Sequence, residues 1–173
     1  MAKIYGVELK AVKYFEGREG IGFNSNIYLN NKKIGTFSDY AFGAMEEYDF
    51  DSKITEEQKQ ELKDIAEKYF QDYPKYLFYP EDKIVEFLSE LLTLKEREDS
   101  YKKNIKKNKD AVLIIGSFHK RTDDFMAVDI SKDDEVAVAK FYDKDVIESY
   151  SKKQGFKETN IYKSLDDFII ERK

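Results

Sequence analysis

Five groups of residues carry chemistry worth weighing, and each has a plain structural alternative. His119 is the single histidine of the chain. One imidazole without cysteines does not make a structural zinc site, and a catalytic dyad needs a partner that the sequence does not show. A strand-end residue is the simpler reading. Gly17, Gly20 and Gly22 form G-x-x-G-x-G, superficially a phosphate cradle. Such cradles place backbone amides at a helix N-terminus, whereas Phe23 onward reads as a strand, so an inter-strand loop fits better. Carboxylates gather at Asp123-Asp124, at Asp133-Asp134-Glu135 and at Asp166-Asp167. A metal-dependent nuclease needs several carboxylates converging on one cation, with Asp123, Asp124 or Asp129 the candidates here. Adjacent acids in turns point apart and usually serve solubility. No catalytic residue, metal site or cofactor is therefore expected.

Two charge runs are more informative. Lys102, Lys103, Lys106, Lys107 and Lys109 form the one concentrated basic run. On a helix the first four share a face by i, i+3 and i, i+4 spacing, a grip suited to phosphates. Lysines near a helix C-terminus are also favoured by the dipole alone. The segment Glu46-Glu47-Tyr48-Asp49-Phe50-Asp51 is its acidic counterpart. Carboxylates interleaved with aromatics can engage a basic groove, with Glu46, Glu47, Tyr48, Asp49 and Asp51 as the partner-binding candidates. The alternative is an acidic loop with Tyr48 and Phe50 tucked into the core.

These residues must be positioned by the surrounding elements. Lys3 to Phe15 alternates as a strand and Glu16–Gly20 reads as a polar loop. Phe23–Leu29 and Ile34–Phe37 form a hairpin around Asn30-Asn31, residues suited to a type I′ turn, with Ile27 and Leu29 on one face and Tyr28 on the other. A sheet with one apolar face needs a helical cover. Thr55-Glu-Glu-Gln58 is a capping box, and Leu62, Ile65, Ala66, Tyr69, Phe70 and Tyr73 follow at helical spacing until Pro74. A second, long helix is expected from Pro80 to about Lys107, spanning ~40 Å. It is apolar from Ile84 to Leu94 and charged beyond, with Tyr101 and Ile105 continuing a thin stripe.

The last third returns to strands. Ala111–Phe118 is nearly all apolar, as in a central strand. Asp124–Ile130 and Glu135–Phe141 suit a hairpin, although the Ala-rich second arm also suits a helix. Asp143–Gln154 reads as a short helix ended by Gly155, and Thr159–Tyr162 and Phe168–Ile170 as final strands. The expectation is an α+β protein: an N-terminal antiparallel hairpin or three-stranded sheet, two central helices, and a C-terminal antiparallel sheet with a short helix. The segments are 1–79, 80–109 and 110–173, forming one domain or two lobes.

With 173 residues, 41% hydrophobic and 15% aromatic, the chain can bury a substantial core. It has no cysteine, which rules out disulfides and thiol chemistry and fits a reducing cytoplasm. The first residues lack a signal-peptide pattern and no apolar run is long enough for a bilayer, so a cytoplasmic protein without a membrane partner is expected. The net charge of −5 disfavours broad nonspecific DNA binding.

The opening, from Ile4-Tyr-Gly-Val-Glu-Leu9 through Glu16–Gly20 to Asn26-Ile-Tyr-Leu-Asn-Asn-Lys-Lys-Ile-Gly35, resembles the N-terminal hairpin region of small proteins of Firmicutes phages and mobile elements. As a class, the chain resembles type II anti-CRISPR proteins: small, acidic, cysteine-free, aromatic-rich and without enzyme motifs. The likeness carries no residue roles across. It implies a non-enzymatic inhibitor whose partner is a Cas9 effector, bound through its protein surface or its guide RNA.

Overall fold

The computed structural model describes residues 1–75, 77–107, 109, 111–117, 135–139, 148–149, 152–153 and 155–172, with 135–139 described by their backbone alone. The fold is α+β, with one large sheet, one small sheet and two long helices. It divides into two units: residues 1–73, 77–95 and 169–173 form the first, and 74–76 with 96–168 the second. One cut falls inside the second helix, whose two halves have different partners, and the last residues return to the first unit.

The first unit is built on a six-stranded sheet. Its first strands are β1 (Lys3–Ile4) and β2 (Val7–Gly17). The single strand expected over 3–15 is thus broken, because Tyr5 and Gly6 both have positive φ (50° and 87°) and turn the chain on itself. The expected loop at 16–20 is instead a tight hairpin tip, with Gly17 paired to Gly20 and β3 running Gly20–Leu29. Asn30 and Asn31 supply the next turn at φ 48° and 67°, and β4 (Lys32–Asp39) follows. β5 (Glu47–Phe50) then pairs with β4 at the sheet's edge. At the other edge β9 (Ile169–Ile170) lies parallel to β1. Sequence analysis places that strand in the C-terminal sheet; its actual partner is more than 160 residues away and leaves no local trace.

Helix α1 (Glu56–Asp72) begins at the expected capping box, with both reciprocal bonds between Thr55 and Gln58 present. It buries Leu62, Ile65, Ala66 and Tyr69. Its ties to the sheet run from Tyr5 Oη to Asp72 Oδ2 (2.6 Å) and from Asn30 Nδ2 to Glu61 Oε1 (3.3 Å). Helix α2 (Lys83–Lys107) starts three residues later than expected. Asp82 rather than Pro80 sets its start, since the Asp82 carboxylate accepts from the amides of Ile84 and Val85, both at 3.2 Å. At 25 residues α2 is about 37 Å long. Its first half buries Ile84, Val85, Phe87, Leu88, Leu91 and Leu94, and Phe87 meets Tyr69 edge-on with ring centres 5.6 Å apart.

The second unit centres on β6 (Val112–Ser117), which lies between β7 (Glu135–Ala139) and β8 (Glu158–Tyr162), antiparallel to both. Residues 111–115 are buried throughout, as a covered central strand requires. The Ala-rich segment takes the strand alternative. A 3-10 turn over Leu165–Phe168 buries Phe168, whose ring stacks on Tyr162 at 4.4 Å and approaches Tyr101 at 5.6 Å. The Tyr101 hydroxyl donates to the Lys163 carbonyl, so the thin stripe on the second half of α2 does have a core to serve. Residues 148, 149, 152 and 153 are helical and Gly155 has φ 80°, in keeping with the short helix ended there. The arm 124–130, His119, Asp123, Asp124, Asp129, Asp133 and Asp134 lie outside the described residues. None of the described helices is long and apolar enough to cross a membrane.

Candidate partner-binding surface

The acidic segment is a strand, and the strand's period of two decides which of its residues can meet a partner. Tyr48 lies opposite Phe37 and Phe50 opposite Gly35, so both rings face the helix-covered side. They meet edge-on at 5.5 Å, and Lys59 of α1 lies 5.7 Å from the Phe50 ring. Burial, reinforced by the Asp82 carboxylate, raises the pKa of the Tyr48 hydroxyl. Tyr48 therefore belongs to the packed side, where it is half-buried. Glu47 and Asp49 face the opposite side and are exposed, while Glu46 is half-buried beside them. Asp51 follows the strand: its amide donates to the Ile34 carbonyl (2.9 Å), and its carboxylate, 43% exposed, pairs with Lys33 at 3.8 Å. Of the five predicted residues, the structure brings Glu46, Glu47 and Asp49 together as a surface.

The side to which Glu47 and Asp49 belong is the polar face of the sheet. Thr36 lies opposite Asp49 and Ser38 opposite Glu47, with Asn24 and Asn26 on the next strand. Further along, Glu8 is buried and held by Lys3 (3.2 Å) and Lys10 (3.5 Å), and Lys10 also caps the Tyr28 ring at 4.4 Å. Lys3 and Lys10 are thus engaged locally, while Lys13, opposite Asn24 on the same face, is exposed.

The basic run divides too. Lys102 reaches back one turn to Glu98, whose carboxylate is fully buried, at 2.8 Å. Its charge is paired with a buried carboxylate, while the side chain stays 34% exposed. Lys103, Lys106, Lys107 and Lys109 are exposed. The Asp166-Asp167 pair is a turn device: Asp167 Oδ2 accepts from the amides of Lys163 (2.6 Å) and Ser164 (2.9 Å). No group of carboxylates or histidine among the described residues is arranged to hold a metal ion.

Sequence reasoning missed the apolar end of the large sheet. Six of the nine large apolar side chains exposed among the described residues lie on the β2–β3 hairpin or the 40–45 loop. The glycines of G-x-x-G-x-G explain the arrangement. A Cβ on Gly17 would sit 2.5 Å from Ala41 Cβ, so only glycine lets the loop rest on the hairpin. The available signal was the run Tyr40-Ala-Phe42-Gly-Ala-Met45, rich in large apolar residues where a loop should be polar.

Comparison with known proteins returns no matching family model, no matching curated protein and no matching solved structure.

Proposed function

We propose that this protein is a non-enzymatic inhibitor that binds a nucleic-acid-handling defence enzyme of a bacterial host. The specific target is a type II Cas9 effector, with or without its guide RNA, as the resemblance to anti-CRISPR proteins implies. The observation that carries the binding role is the exposed pair Glu47 and Asp49 on an edge strand, beside Glu46. Side chains two apart on one strand face stand about 7 Å from each other. A row of carboxylates at that spacing, fixed by sheet pairing, suits a groove lined with lysines and arginines and competes there with nucleic acid.

Target-DNA cleavage by several type II Cas9 proteins tests this reading, with the protein added before or after guide loading. Inhibition after loading, weakened by Glu47→Lys with Asp49→Lys, is the expected result. Unimpaired cleavage in both orders, with no complex on gel filtration, overturns it. A second reading, a nucleic-acid-binding accessory protein, is favoured by the exposed Lys103, Lys106, Lys107 and Lys109. It predicts RNA or DNA binding that falls steeply with salt and disappears when these four lysines become glutamates.

A further inference from the structure

The strongest unassigned feature is the apolar end of the large sheet. Ile21 is 70% exposed, Phe42 65% and Tyr40 51%, and Phe15 and Met45 are exposed as well. Isolated exposed apolar residues are ordinary, but large ones gathered at one end of a sheet mark an interaction site. The placement is built in. The Glu19 amide donates to the Ala41 carbonyl (2.9 Å), and Asp39 Oδ1 accepts from the Ala41 amide (2.7 Å). Ala41 holds φ 53° and Gly43 φ 76°, a tight path that turns Tyr40 and Phe42 outward while Ala41 itself is buried against Gly17. Anchors fixed before binding lose little freedom on docking.

Charge then selects the occupant. Residues 13–22 and 39–49 carry six carboxylates against two basic side chains, a formal −4, beside −5 for the whole chain. A second copy docking by two-fold symmetry would bring this face onto itself, −4 against −4. An anionic bilayer is repelled for the same reason. From these observations we infer that this end is a docking surface for a protein partner whose apolar face is flanked by lysine and arginine. Phe42, Tyr40 and Ile21 meet the apolar face, while Glu16, Glu19, Glu46 and Glu47 meet its basic flanks. The inference deepens the binding role proposed above and rests on it for the partner being a protein.

The test uses the full chain and a fluorescein-labelled amphipathic helical peptide whose leucine stripe is flanked by lysines. A peptide with the same stripe flanked by glutamates is the control. Fluorescence anisotropy is expected to show binding of the lysine peptide at least tenfold tighter than the control, weakening as salt is raised. Phe42→Ser with Ile21→Ser should reduce that affinity at least tenfold, while Phe78→Ser, at an exposed apolar residue elsewhere, leaves it unchanged. Unaltered circular dichroism and melting of the double variant show that the loss is local. Equal affinity for the two peptides, or an undiminished affinity in the double variant, overturns the inference. So does a dimer in sedimentation that Phe42→Ser dissolves, or equally tight binding to phosphatidylglycerol vesicles. The two proposals fail separately. Cas9 inhibition that survives Phe42→Ser with Ile21→Ser removes this surface and keeps the inhibitor; selective peptide binding without Cas9 inhibition does the reverse.

Discussion

In β5 the acidic run meets a backbone that sends alternate residues to opposite faces, whereas in the last turns of α2 the basic run meets one that spreads residues around a cylinder. The strand sorts its run cleanly. Tyr48 and Phe50 go to the packed side, and Glu47 and Asp49 go to the open side. The helix sorts by what lies one turn back: Lys102 is spent on the buried Glu98, and the lysines after it stay exposed. A charge run is therefore not a surface until the period of its element is known. In each run, one part of the charge is available to a partner and another part holds the fold.

The comparison can be broken at several points. The largest effect is expected behind the strand. Phe37 is fully buried opposite Tyr48, and Phe37→Ala should cost about 3–5 kcal/mol in urea unfolding. Glu47→Gln with Asp49→Asn should change stability by less than about 0.5 kcal/mol. A comparable loss in both variants would show that the outward face is structural as well.

On the helix, Lys102→Met should cost about 2 kcal/mol, below the ~3–5 kcal/mol of a fully buried pair, because the Lys102 side chain keeps 34% of its exposure. Lys106→Met should be neutral to within about 0.5 kcal/mol by the same unfolding measurement. Equal costs at the two positions would erase the distinction between them. A third, smaller loss is expected from Thr55→Ala, about 1 kcal/mol, as the capping box of α1 loses its side-chain acceptor. Thermal melts would show it, and an unchanged midpoint would mean that tertiary packing alone sets the helix start.

The last effect concerns Tyr5 and appears at alkaline pH. Burial, the hydrogen bond to Asp72 and the Asp72 charge together raise the pKa of its hydroxyl well above the ordinary tyrosine value. A raised folded-state pKa means that the neutral hydroxyl's contribution is complete below about pH 10, the unfolded value, and is lost progressively as pH rises above it. Melts between pH 8 and 11 should show this alkaline loss shrinking in Tyr5→Phe, by under about 1 kcal/mol. An identical alkaline slope in the variant would assign the loss to other groups.

Much of the fold could be read from residues close together in sequence. The Asn30-Asn31 turn, the capping box at Thr55, the apolar first half of α2 and the covered strand β6 are each encoded within a few residues, and each is present. What escaped depends on distant partners or on a competing local signal. β9 finds β1 across nearly the whole chain. Pro80 looked like a helix start, but the Asp82 carboxylate binds the first free amides. The alternation in Glu47–Phe50 is visible in the sequence, but a four-residue strand is defined only by its pairing with β4. The candidate surface was half legible for the same reason: its acids stand out, whereas the aromatic loop gains meaning only when Gly17 brings it against a hairpin formed earlier in the chain.

The β1–β9 pairing also dictates an order of assembly. On the ribosome, β1 to β5 and α1 emerge early, but the partner of Lys3 and Ile4 emerges only after residues 5–168 have been made. Throughout that interval β1 presents an open parallel edge, and the Tyr5 amide lacks the Ile170 carbonyl that receives it in the finished fold, at 2.8 Å. The second unit is inserted between the pieces of the first. The edge strand β9 thus cannot join the large sheet until residues 169 and 170 have been made.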